Sequence, residues 1–144
     1  MSAILAPDRA TPWHLWVVGI LALLWNGSGA YTILMAQAGR LSDVGPEEAA
    51  YYAGQPLWLV ISTDIALFAG IAAALALLLR SRTAVWLFGL ALVLIMANDI
   101  YDLAAGTSLI LVARNWLILT LVIVAIAILE FVYAWTMRRR MVLR

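Results

Sequence analysis

Four stretches of the chain, residues 13–38, 57–79, 83–105 and 116–137, are apolar over nearly their whole length. Each is long enough to cross a hydrocarbon core that takes about 20 helical residues. Backbone groups in lipid must be satisfied within the segment, so these stretches are predicted helices. Between them lie an acidic loop, "GRLSDVGPEEAAYYAGQP", a tight "RSR" turn at residues 80–82 and a short "GTSLILVAR" link. With no heptads, no long repeat and no low-complexity tract, the pattern predicts an all-α, four-transmembrane-helix bundle forming one domain.

The interruptions of this pattern are informative, because polar groups inside a membrane helix are costly. In "LLWNGSGAY", residues 23–31, an asparagine, a serine and two glycines break an apolar helix. Gly19, Ala22, Asn26 and Gly29 align at helical spacing as a stripe of small residues, which suits close approach of a neighbour at Gly29 and an interior partner for Asn26. Tyr31 points roughly the other way. A second stripe, Ser62, Ala66, Ala69, Ala73 and Ala76, lies opposite Asp64. Two faces of that helix therefore want company, one within the bundle and one from a further helix, such as a second copy.

At about 1.5 Å per residue, Asp64 and Asp99 fall roughly 10 Å inside one boundary, Glu130 roughly 10 Å inside the other, and Asn26 near the midplane. Asp102 is shallower. Asp99 and Asp102, three apart and flanked by Asn98, are expected to form one polar sector. Structural roles compete with functional ones at each position. Asn26 suits a packing hydrogen bond, Asp99 and Asp102 suit an interface, and Glu130 suits a partner in Tyr133, His14 or a snorkelling arginine. Asp64 has no arginine at its depth, which leaves it protonated, wet or bound to a cation.

Composition agrees with the pattern. Of 144 residues 66% are hydrophobic and 12% charged, with a mean hydropathy of +1.00, too little polar surface for a soluble globule. The absence of cysteine excludes thiolate nucleophiles, disulfides and cysteine-bound metals. A single histidine, His14, argues against bis-histidine haem, and no cofactor is expected. All basic residues are arginine. Arg9, Arg80, Arg82, Arg138, Arg139, Arg140 and Arg144 fall to one side, Arg40 and Arg114 to the other, so the positive-inside bias predicts cytoplasmic termini and an outward acidic loop with Asp43, Glu47 and Glu48. Trp13, Trp16, Trp58, Trp86, Trp116 and Trp135 lie near predicted helix ends, as an aromatic belt does, and Trp25 does not. A secretory signal in the first segment is the weaker alternative, since Asp8 beside Arg9 leaves no clearly positive leader.

"WNGSGAY", "QPLW", "ALLLRSR" and "AVWLF" together resemble a family of small four-helix bacterial membrane proteins with a WN-x-x-G-x-x-Y motif, often labelled sugar transporters without a defined mechanism. The likeness covers about residues 13–103 and rests on Trp25, Asn26, Gly29, Tyr31, Pro56, Trp58, Arg80, Ala84 and Phe88. It implies an inner-membrane setting and a four-helix fold, and carries no catalytic assignment.

Two functions fit these residues. In a carrier for a small polar, sugar-like solute or for protons, Asp64 and Asp99, with Asn98 and Asp102 beside them, take up a proton from outside. Asn26 with Trp25 contacts the solute, and Glu130 serves the inner side. In a non-catalytic accessory or assembly subunit, the small-residue faces dock onto a larger membrane complex. An intramembrane aspartyl hydrolase built on Asp64 and Asp99 lacks the companion glycine–aspartate motif, so no enzyme is expected. The expected partners are the lipid bilayer, lipid at Arg138–Arg140, a second copy or larger complex and a small polar solute, with no nucleic acid.

Overall fold

The computed structural model describes residues 11–41, 45–106 and 116–144. Its helices are α1 (Trp13–Gln37), α2 (Pro46–Gly54), α3 (Leu57–Leu78), α4 (Thr83–Ala104) and α5 (Trp116–Arg139), with no strand among the described residues. Helices α1, α3, α4 and α5 are each long and apolar enough to cross a membrane, and the chain is a multi-pass membrane protein. The first three end one residue short of the expected bounds and the last runs two residues further. Arg9, Asp43 and Arg114, which entered the charge asymmetry, lie outside the described residues.

The acidic loop corrects the sequence expectation, since part of it is helical. In "PEEAAYYAG" a proline with its fixed φ opens α2, and Glu47 and Glu48 sit in the first turn, where the helix dipole favours negative charge. The extended Gln55 and Pro56 then end α2 before α3 starts.

Helix α3 is central, packing on α1 along one side and on α4 along the other, while α5 packs on α4. The α1–α3 seam is antiparallel. Gly19 lies against Leu78, Asn26 against Gly70, Gly29 against Leu67 and Gln37 beside Asp64. The second stripe faces α4, where Ser62 bonds Asn98, and Ala66, Ala69, Ala73 and Ala76 are buried. Both faces of α3 are thus covered within the chain, and the expected further helix is not needed to explain them. Helices α1 and α5 share no comparable packed seam.

The main apolar cluster gathers Leu15, Leu77, Val85, Phe88, Ala134 and Met137, where α1 and α4 begin and α3 and α5 end. Arg80, Arg82 and Arg138–Arg140 mark this end, called here the arginine end. Residues 141–144 fold back over it. Arg144 N–H donates to the Arg80 carbonyl at 2.6 Å and Arg82 N–H to the Arg144 carbonyl at 2.9 Å, while Leu143 is buried. Arg80 and Met141, both at φ 59°, make the left-handed turns that close α3 and α5. Arg138 lies over Trp86 and Trp135, and Arg139 over Trp135.

Candidate functional site

The interior polar contact that joins the two outermost helices is built on a glycine. A Cβ at Gly70 would stand 2.8 Å from Cγ of Asn26, closer than real Cβ contacts come, so only glycine leaves room for the amide. Held there, Asn26 Nδ2 donates to the Ala22 carbonyl and to Glu130 Oε1, each at 2.9 Å. Both amide hydrogens are used, which aims the side chain across the gap toward α5.

Two cavities adjoin this bridge. At the arginine end a cleft of about 750 Å³ runs between α1 and α5, walled by Val18, Leu21, Ile126, Leu129 and Val132, with His14, Tyr133 and Arg140 also lining it. On the other side a cavity of about 360 Å³ is lined by Asn26, Gly29, Thr32, Phe88, Ile95 and Ile123, with Glu48 and Tyr52 of α2. Trp25 and Glu130 line both. Below the bridge, His14 Nδ1 and the Tyr133 hydroxyl lie 2.6 Å apart, a second link between α1 and α5.

These contacts revise several expectations. Glu130 is held by Asn26, whereas Tyr133 bonds His14, so the amide and the carboxylate, expected at different depths, form one layer. Close approach occurs at Gly19 and Gly70 rather than at Gly29, where a Cβ would meet Leu67 at an ordinary 3.9 Å. Gly19 and Ala22 are buried, and Trp25, 38% exposed, lines both cavities.

The aspartates at the opposite end do not share an interior. Asp64 accepts from Gln37 Nε2 at 3.2 Å in the α1–α3 seam. Asp102 accepts from the Tyr51 hydroxyl of α2 at 2.8 Å. Asn98 accepts from Ser62 at 2.8 Å and donates to Thr63 at 3.1 Å, tying α4 to α3. Asp99 instead lines a groove between α4 and α5 with Met96, Leu103, Leu117 and Leu121, its buried Oδ2 without a hydrogen-bond partner among the described residues. The single polar sector expected for Asp99 and Asp102 is therefore split: a step of about 100° per residue carries Asp99 round to α5, while Asn98 and Asp102 stay on the buried side.

Outside the membrane spans, burial and the hydrogen bond to Asp102 raise the Tyr51 phenol, and burial, then the charge of Glu48, raises Tyr52. Both stay protonated donors at neutral pH.

Sequence reasoning missed Gln37, Tyr51 and Gly70. Only Gly70 carried a legible signal, since a glycine amid alanine and leucine in a helix costs about 1 kcal/mol and usually marks a packing need. Among the described residues no group of three or more His, Cys, Asp or Glu side chains is placed to hold a metal ion. Within "WNGSGAY" Tyr31 is exposed and stands one position nearer Gly29 than the WN-x-x-G-x-x-Y spacing has it. No family model, curated protein or solved structure matches the chain.

Proposed function

We propose that this protein is a permeation element, working as a carrier for a small polar, sugar-like solute or for protons, with the Asn26–Glu130 bridge as its gate. The observation that carries this reading is the position of the bridge between two cavities that both reach Glu130. A carboxylate bridged to an amide can exchange that bond for one to a hydroxyl-bearing solute or for a proton, and Trp25 offers a flat face beside it. The aspartate relay through Asp64 and Asp99 has no part in this route, because the two face different seams. The arginine distribution supports cytoplasmic termini, and the likeness to the small bacterial family supports an inner-membrane setting.

Proteoliposomes test the reading. Flux of protons or of a sugar panel should fall about tenfold or more in Glu130→Ala and Asn26→Ala and stay near wild type in Asp64→Asn, a tenfold loss being about 1.4 kcal/mol. Equal losses in all three, or no flux at all, would remove it. An accessory role is favoured by one observation, the sparse burial of α1 and α5 compared with α3. Gentle solubilisation that recovers a stable larger assembly, with no flux from the isolated chain, would establish that role instead.

A further inference from the structure

We propose that the cleft between α1 and α5 at the arginine end seats one phospholipid, its acyl chain along the apolar walls and its phosphate at Arg140 beside His14 and Tyr133. The cleft opens sideways: Leu21, Leu129 and Val132 on its walls are 60%, 66% and 51% exposed in the isolated chain and face the bilayer. Its polarity is graded as a lipid is. His14, Tyr133 and Arg140 gather toward the arginine end, aliphatic side chains line the walls, and the Asn26–Glu130 bridge closes the top.

Length picks the occupant. From His14 to Trp25 beside the bridge the α1 wall rises about 16 Å, close to half of a core about 30 Å thick, so the trough has the depth of one leaflet. A polypeptide or a soluble metabolite has no reason to match that depth. Charge picks the headgroup. Of the three arginines at 138–140 it is Arg140 that lines the cleft, where a guanidinium gives forked hydrogen bonds to a phosphate. Seated there, the lipid stands in for the missing α1–α5 packing and walls the cleft off sideways.

The seat is independent of flux and is tested by lipid retention. The full chain in mild detergent is mixed with phosphatidylglycerol or phosphatidylcholine and examined by native mass spectrometry, with helicity of every variant checked by circular dichroism. One phosphatidylglycerol should be retained per chain, more tightly than phosphatidylcholine. Retention should weaken about fivefold in Arg140→Gln, the scale of one basic residue's attraction to anionic lipid, and hold in Arg139→Gln. Two cleft-filling variants, Val132→Trp and Val18→Phe, should lose it, and glycerol 3-phosphate should not displace it. No retained lipid, equal retention of the two lipids, equal weakening by Arg139→Gln, undiminished binding in both filled variants, or displacement by glycerol 3-phosphate would each overturn the proposal.

Discussion

An ionised side chain at the centre of a membrane helix costs about 2.5–3.5 kcal/mol on insertion scales, and an interhelical hydrogen bond in lipid returns about 0.6 kcal/mol on average. The single bond from Asn26 therefore does not offset a charge on Glu130, and stability gives no reason to keep a carboxyl group there. Glu130→Gln keeps an acceptor for Asn26 and removes the ionisable group, so its thermal unfolding in detergent should match wild type within about 0.5 kcal/mol or exceed it. A loss above about 1.5 kcal/mol would mean that the carboxylate is structural. The glycines give a matched pair. Gly70→Ala should cost about 1–3 kcal/mol by overpacking Asn26, while Gly29→Ala, with only ordinary contact to Leu67, should stay within about 0.5 kcal/mol. Asn26 was legible as an anomaly, but its partner was not, because Glu130 lies 104 positions further on. Counting residues also treats helices as upright, and tilt moves two side chains to one depth.

Helix α2 was overlooked because a search for membrane-length apolar runs passes over nine residues of mixed polarity, although its proline, its glutamates and its alanines each favour a helix. It helps to cover the smaller of the two cavities at the bridge through Glu48 and Tyr52 and is pinned by Tyr51 to Asp102. The folded state raises the Tyr51 phenol above its ordinary 10.0 and so binds that proton more tightly than the unfolded chain. This contribution is complete below pH 10 and is lost as pH rises beyond it. A nitroxide at exposed Ala50 should be equally immobile from about pH 7 to 9, loosen above about 10, and be loose throughout in Tyr51→Phe. At the arginine end, Leu143 is buried in the main cluster, and Leu143→Ala should cost about 2–3 kcal/mol. Met141, exposed and left-handed, should gain up to about 1 kcal/mol as glycine. Chemical denaturation of the detergent-solubilised protein measures both.

At the scale of the whole molecule, α1–α3–α4–α5 forms a chain of packed neighbours whose ends share no comparable seam and, among the described residues, meet at two side-chain bridges and at the apolar cluster of the arginine end. The four spans were readable because lipid permits little else of that length and hydropathy. The unequal seams were not, since all four helices are apolar enough to cross a membrane and periodicity does not tell a lipid-facing stripe from a partner-facing one. In the proposed carrier the α1–α5 side is the one that opens, with the Asn26–Glu130 bridge holding it shut. Pulsed dipolar spectroscopy between nitroxides at exposed Ile20 of α1 and Ile128 of α5 in nanodiscs tests it directly, with Ile65 of α3 and Val93 of α4 as the control pair. The α1–α5 distance should be narrow in the wild type and broaden or lengthen by several ångströms in Glu130→Ala, while the α3–α4 distance stays fixed. Unchanged α1–α5 distances in Glu130→Ala, or equal broadening of both pairs, would contradict it.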